Sequence, residues 1–256
     1  SCWRFLAPQH VSQSNGFGRL GLLAKASESE RGQPHVALAG QTRRACISSG
    51  VLMNSEDLLE TLLFKVHLLT LEQIAAGWLH GANVREVRRA LAPLASRHLV
   101  SVGRVLAHPL LPLAKPVLRW TPADPEPDFS GVSNTLQTRW TELPKPFSIV
   151  VATPKAANQL GGVPGTVPPL GHEAHDIHLS EVYVRLLKTQ PTRARAWLGE
   201  ESIRASRKGQ KLPDAVITDP QRGEIGVVEF GGTYDQKRLR AFHAHCHSRA
   251  LPYELW

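Results

Sequence analysis

The stretch LPDAVITDPQRGEIGVVEF, residues 212–230, is the part of the chain whose pattern decides the fold. Two short apolar runs, 215–218 and 225–230, flank a turn sequence at 219–224, which is the pattern of a β-hairpin. If the turn centres between Gln221 and Arg222, Asp214 lies directly opposite Glu229. Directly opposed residues have Cβ atoms roughly 4.5–5.5 Å apart. The sequence therefore predicts two carboxylates side by side, and a shift of one residue in the turn would move one of them to the other face.

Two acidic side chains in otherwise apolar strands cost free energy unless they bind a positive group. A hard cation such as Mg²⁺ prefers carboxylate oxygens and keeps water ligands for chemistry, so Asp214 and Glu229 are the predicted metal ligands. Two alternatives stay open at this point: one or both acids lie at a strand end in solvent, or they pair with arginine or lysine.

The segments around the hairpin complete an α/β unit over residues 175–256. A helix is predicted from His178 to Lys188, with Glu181 on the face opposite its apolar stripe. A second amphipathic stretch covers 197–203, a helix covers 234–249, and a strand covers 252–256. The order is helix, hairpin, helix, strand.

Residues 53–162 have the pattern of a winged helix-turn-helix. Three short helices are predicted between residues 54 and 98, with a tight turn at 80–83, and a strand follows at 99–106. In such a fold the third helix enters the major groove of DNA. Between Val84 and Arg119 there are seven arginines and lysines against one glutamate, which favours contact with phosphates. The alternative is a solvated helix face. The predicted DNA-binding residues are Arg85, Arg88, Arg89, Arg97 and Arg104.

The remaining segments are connections. A long proline-rich insertion runs from 107 to 146, a returning wing strand is predicted at 147–153, and residues 163–174 are predicted to be a linker. Residues 1–52 have no apolar periodicity, and the single methionine, Met53, follows them. We expect 1–52 to be a disordered leader or a non-native segment; the alternative is a basic arm that helps hold a polyanion.

Composition narrows the class of protein. The chain has 256 residues, and 42% of them are hydrophobic, which is ordinary for a globular protein. Its formal net charge of +8 is compatible with a polyanionic partner but does not by itself establish one. No run of eighteen apolar residues and no signal-peptide pattern occurs, and the three cysteines form no CxxC pair, so we expect a cytoplasmic protein. Nucleotide-binding and serine-hydrolase motifs are missing. Two histidine-rich clusters, at 172–178 and 243–247, are weak candidates for zinc.

The Pro213-Asp214 pair, the hairpin and Glu229 on the next strand resemble the core of the PD-(D/E)XK nuclease superfamily. The larger layout, with a winged helix first and a histidine-led helix before this core, resembles the plasmid replication-relaxation family over about residues 56–256. The resemblance implies a fold of class α/β (α+β), in which an N-terminal winged helix-turn-helix precedes a restriction-endonuclease-like mixed sheet with flanking helices.

The resemblance also implies a site. Asp214 and Glu229 would hold Mg²⁺, Glu181 would be a further acid, and a lysine would orient water. The superfamily places that lysine two residues after the second acid, where this chain has Gly231, so Lys237 in the next helix is the predicted substitute.

Three functions follow as expectations. The first is a double-stranded-DNA-binding protein of a mobile element that hydrolyses phosphodiesters with Mg²⁺. The second is a catalytically inactive, nuclease-like regulator of replication or transcription that binds DNA. The third is a scaffold whose winged helix contacts proteins.

Overall fold

The structure is a computed structural model, which describes residues 53–204, 207 and 212–256. The prediction made for residues 1–52 lies outside these described residues. In the described part of the chain, no helix has both the length and the apolar character that a membrane span needs.

Polar side chains begin the helices of the N-terminal part. The Asn54 side chain accepts hydrogen bonds from the first backbone N–H groups of α1, and the pairs Thr70–Gln73 and Asn83–Glu86 form capping boxes at α2 and α3. A π-helical turn, Thr61–Lys65, continues α1. The helices of the described residues are α1 Ser55–Glu60, α2 Leu71–Trp78, α3 Val84–Ser96, α4 Phe129–Gln137, α5 Pro154–Leu160, α6 Glu173–Thr189, α7 Pro191–Arg195, α8 Glu200–Arg204 and α9 Gln236–His247.

The strands form two sheets in a mixed α/β architecture. A three-stranded antiparallel sheet has the order β1-β4-β2, and a five-stranded sheet has the order β3-β8-β7-β6-β5, in which only the pair β7–β8 is parallel. The strands are β1 Leu69–Thr70, β2 Val100–Ala107, β3 Leu118–Trp120, β4 Lys145–Ala152, β5 Trp197–Gly199, β6 Ala215–Asp219, β7 Gly223–Glu229 and β8 Tyr253–Leu255.

Both faces of the three-stranded sheet are covered. Val150 and Ala152 of β4 pack in the same cluster as Leu91 of α3, whereas Ile149 packs with Ile177 of α6. Neighbouring residues of a strand point to opposite faces, so the alternation places α3 on one side and α6 on the other. The sheet therefore lies between helical layers.

The proline-rich insertion joins the two sheets. Its strand β3 pairs with β8, with Trp120 opposite Tyr253, and its helix α4 packs against α9. At the other end of the larger sheet, the indole N–H of Trp197 donates a hydrogen bond to the carbonyl of Lys65, 2.8 Å away. The N-terminal helices and the larger sheet consequently share one apolar core that contains Leu62 and Trp197.

Two segments differ from their predicted form. Helix α6 begins at Glu173, five residues before the predicted start, so the last two residues of the predicted linker 163–174 are helical. The stretch 197–203 is not one amphipathic segment, because Trp197–Gly199 pairs with β6 as an edge strand before α8 begins.

Candidate functional site

The hairpin register agrees with the one predicted from the sequence. Ala215 pairs with Val228 at the open end of β6 and β7, so Asp214, the residue before β6, lies opposite Glu229. The turn itself is different, because Asp219 pairs with Gly223, which centres the turn on Gln221. A β-bulge between Ile217 and Thr218 restores the register.

Each of the two acids accepts a hydrogen bond from a backbone N–H across the hairpin. The Asp214 N–H donates to Oε2 of Glu229 over 3.1 Å, and the Phe230 N–H donates to Oδ2 of Asp214 over 2.7 Å. The Tyr234 hydroxyl donates to Oε1 of Glu229 over 2.6 Å. The exposed fractions are 1% for Asp214 and 0% for Glu229. The pair is thus a buried and tightly hydrogen-bonded feature of the hairpin's open end.

A histidine from α6 completes this acid site, which we define as Asp214, Glu229 and His175. The Nε2 atom of His175 is 3.0 Å from Oδ2 of Asp214, and its Nδ1 atom is 3.1 Å from Oδ1 of Asp176. Burial alone would lower the pKa of His175, but the charge of Asp214 and the hydrogen bonds to both aspartates outweigh it and raise the pKa to about 10. His175 is therefore an imidazolium at neutral pH, donating one hydrogen bond to each aspartate.

The carboxyl of Glu229 also has a raised pKa. Burial, followed by repulsion from Asp214, raises the pKa of the Glu229 carboxyl to about 8. Burial and the neighbouring acid therefore favour the protonated form of Glu229, whereas its hydrogen bonds from Tyr234 and from the Asp214 N–H act in the opposite direction.

A divalent cation does not fit this arrangement as it stands. Oδ2 of Asp214 receives two hydrogen bonds, and each oxygen of Glu229 receives one. Mg²⁺ requires ionised carboxylates with oxygen lone pairs available for octahedral coordination. Across residues 53–204, 207 and 212–256, no three or more His, Cys, Asp or Glu side chains are grouped so that they could hold a metal ion. Mg²⁺ binding by Asp214 and Glu229 stays a prediction.

The other two predicted catalytic residues lie on different helices. Oε2 of Glu181 accepts a hydrogen bond from Nε2 of Gln73 over 3.1 Å, which ties Glu181 to α2. Glu181 is six residues beyond His175 on α6, about 9 Å along the helix axis. Lys237 is exposed on the first turn of α9. Only Asp214 and Glu229 of the predicted set are joined by the hydrogen bonds described above.

Rings from the insertion and from α6 pack beside the acid site. His178 stacks on Phe230 with ring centroids 5.2 Å apart, Trp140 lies edge-on to His178 at 4.9 Å, and the guanidinium of Arg139 lies 4.6 Å from the centroid of the Phe230 ring. Burial lowers the pKa of His178 to about 4, and its Nε2 atom accepts a hydrogen bond from the Leu111 N–H over 3.2 Å. His178 is thus a neutral packing residue.

Sequence reasoning missed the roles of His175 and Arg139. The density of histidine and aspartate at 172–178 was the available signal for His175, but it did not indicate a partner 39 positions away. Nothing in the local pattern around Arg139 indicated contact with Phe230, because that contact depends on how the insertion folds.

A second candidate surface, which we call the α3–β2 surface, consists of the five arginines predicted to bind DNA. All five are exposed: Arg85, Arg88, Arg89, Arg97 and Arg104. Arg88 donates a hydrogen bond over 3.1 Å to the hydroxyl of Ser148, the residue that pairs with Arg104 across β2 and β4. No ion pair links any of the five to an acidic group among the described residues, whose ion pairs involve other arginines, Lys65 and two histidines.

Comparisons with protein-family models, with curated proteins and with solved structures found no match to this chain.

Proposed function

We propose that the chain is a winged-helix protein that binds duplex DNA through the α3–β2 surface, and that its five-stranded sheet is a nuclease-like unit of the kind found in proteins of mobile elements. The observation that carries the DNA-binding proposal is the exposure of five arginines, none ion-paired within the described part of the chain, where α3 meets β2. Exposed guanidinium groups without an acidic partner are suited to phosphates, whose counterions they displace.

The arrangement of elements supports the winged-helix part. Helices α1, α2 and α3 precede the pair β2–β4, and β1 lies between α1 and α2 and pairs with β4. The turn before α3 contains His80 and Gly81 with positive φ, and Asn83 caps the helix. Thirteen residues give α3 a length of about 20 Å, and the major groove is about 12 Å wide and admits a helix.

The nuclease-like part is supported by the position of the acids. Asp214 and Glu229 lie opposite each other at the end of a hairpin in a mixed sheet with α6 and α9 as flanking helices. The origin of the chain in a mobile element rests on the resemblance to the replication-relaxation family alone. The geometry favours a regulator that binds DNA without cutting it, since Oδ2 of Asp214 and both carboxyl oxygens of Glu229 already accept hydrogen bonds from the protein.

The DNA-binding proposal is tested by fluorescence anisotropy with a labelled duplex over a range of salt concentrations. We expect Arg85→Gln/Arg89→Gln to weaken binding at least about tenfold and to lower the slope of log K against log salt by about 2. The matched control, Lys155→Gln/Lys188→Gln, removes the same charge from exposed positions on α5 and α6 and should leave the affinity near that of the wild type. Binding that does not depend on salt, or equal losses in both variants, would favour the protein-contacting scaffold instead.

One observation favours a second function, Mg²⁺-dependent phosphodiester hydrolysis: the register that brings Asp214 and Glu229 together. The assay is nicking of supercoiled plasmid with Mg²⁺ or Mn²⁺ by the wild type and by Glu229→Ala. Nicking that depends on metal and is lost in Glu229→Ala would establish the hydrolytic function. We expect instead that the wild type leaves the plasmid intact at concentrations where it is bound.

A further inference from the structure

The charge of Asp214 needs a compensating cation within the protein. The Asp214 side chain is 1% exposed, and a buried carboxylate without a positive partner is strongly destabilising. In metal-dependent sites a divalent ion supplies this charge, and in metal-free sites a basic side chain has to supply it.

His175 is placed to supply it. The residue lies in the first turn of α6, its side chain is 17% exposed, and its two ring nitrogens contact Asp214 on one side and Asp176 on the other. Asp176 is 17% exposed, and His67 approaches it to 3.9 Å, so the contacts lead from the buried acid towards the surface. Both ring N–H groups are used, which fixes the orientation of the imidazolium.

We infer that His175 is a positioning residue that supplies, at the Asp214–Glu229 pair, the positive charge that a divalent cation would otherwise supply. Its contacts hold α6 against the hairpin. The acid site is therefore complete without a metal ion. This inference concerns a site separate from the α3–β2 surface, so it stands or falls independently of DNA binding. It deepens the proposed function, because it favours the form without hydrolysis.

The hydrogen bonds of the acid pair support this role. Oδ2 of Asp214 receives both the His175 ring and the Phe230 N–H, and the oxygens of Glu229 receive the Asp214 N–H and the Tyr234 hydroxyl. A metal ion entering the pair would have to displace these donors. Because the donors are backbone groups and packed side chains, displacing them would disrupt the hairpin's open end.

The test is thermal unfolding of the full chain with EDTA and with millimolar Mg²⁺ at constant ionic strength. For the wild type we expect the same melting temperature in both buffers. His175→Gln keeps a hydrogen-bonding side chain but loses the charge, and we expect it to lower the melting temperature by about 6 °C or more. Adding Asp214→Asn should recover most of this loss, because the second substitution removes the charge that His175 balances.

The control is His247→Gln, which removes an exposed imidazole from α9 and should shift the melting temperature by less than about 2 °C. Two outcomes overturn the inference: a melting temperature that Mg²⁺ raises in the wild type but not in Asp214→Asn, or losses from His175→Gln and Asp214→Asn that simply add. If His175→Gln does not fold, Glu229→Gln tests the inference in its place. Gln has the size of Glu but offers Mg²⁺ no carboxylate, so we expect the same melting temperature in both buffers, whereas loss of a Mg²⁺-dependent increase seen in the wild type would contradict us.

Discussion

The Nε2 atom of His175 lies 3.0 Å from Oδ2 of Asp214, although 39 positions separate the two residues in the chain. This contact joins the first turn of α6 to the open end of the β6–β7 hairpin. Since α6 also packs on the three-stranded sheet through Ile177, a single helix connects the acid site to the part of the molecule that carries the α3–β2 surface.

Stability should decrease at alkaline pH. The pKa of His175 is raised to about 10 in the folded protein, above its ordinary value of 6.5. Its contribution to the free energy of unfolding is therefore fully present below pH 6.5 and is lost as the pH rises through about 10. The pKa of Glu229 is raised to about 8, so its contribution is also lost with rising pH, between its ordinary value of 4.5 and about 8. We expect the melting temperature to fall steadily between pH 7 and pH 10. Above about pH 8, where the Glu229 contribution is already lost, a flat profile in His175→Gln and a falling one in His247→Gln would assign the effect to His175. A flat profile in the wild type would contradict it.

Stability should also decrease at acidic pH, through His178. Burial lowers the pKa of His178 to about 4, so the folded protein binds fewer protons than the unfolded chain between pH 4 and pH 6.5. This contribution is therefore present above pH 6.5 and is lost as the pH falls towards 4. Urea unfolding at a series of pH values measures it. His178→Gln should be less stable at pH 7 but should show a weaker dependence on pH in this range, and an unchanged dependence would show that other groups cause it.

Two glycines of the larger sheet should respond differently to alanine. A Cβ at Gly199 would lie 2.4 Å from the carbonyl oxygen of Lys65, a backbone atom that cannot move without disturbing α1 and its π-helical turn. We expect Gly199→Ala to lower the free energy of unfolding by about 1–3 kcal/mol. Gly226→Ala is the matched control, because its Cβ would meet only the Pro252 oxygen at 3.7 Å. That variant should lie within about 1 kcal/mol of the wild type by urea unfolding, and equal effects would contradict the close approach at Gly199.

The N-terminal helices and the five-stranded sheet should unfold together. Trp197 belongs to the sheet, yet its indole N–H bonds to the Lys65 carbonyl and its ring packs on Tyr183 with centroids 5.5 Å apart. Trp197→Phe leaves that carbonyl without its donor and should cost about 1–3 kcal/mol. The measurement is urea unfolding followed both by circular dichroism and by hydrogen exchange of α2 and β7. We expect one shared urea midpoint, which Trp197→Phe lowers equally in both regions. A shift confined to β7 would show two independent units.

Several features of the fold could be predicted because they depend on local patterns. Two apolar runs and the turn residues between them predicted the register that places Asp214 opposite Glu229. The observed turn is centred half a residue from the predicted position, and the β-bulge between Ile217 and Thr218 compensates for that difference. The three helices predicted between residues 54 and 98 occur as α1, α2 and α3, whose starts are capped by Asn54, Thr70 and Asn83. Capping involves residues only two or three positions apart, so it belongs to the local sequence.

The tertiary structure alone decided which distant segments of the chain contact each other. The sequence determined which residues are acidic, which segments are helices and strands, and that arginines gather around α3. It did not determine that β3 of the insertion pairs with β8, that Trp197 enters the core of the N-terminal helices, or that His175 meets Asp214. Periodicity and spacing report only on interactions within a helix or a hairpin. Contacts between distant segments, and the burial that changes the pKa of His175 and Glu229, arise only when those segments pack against each other.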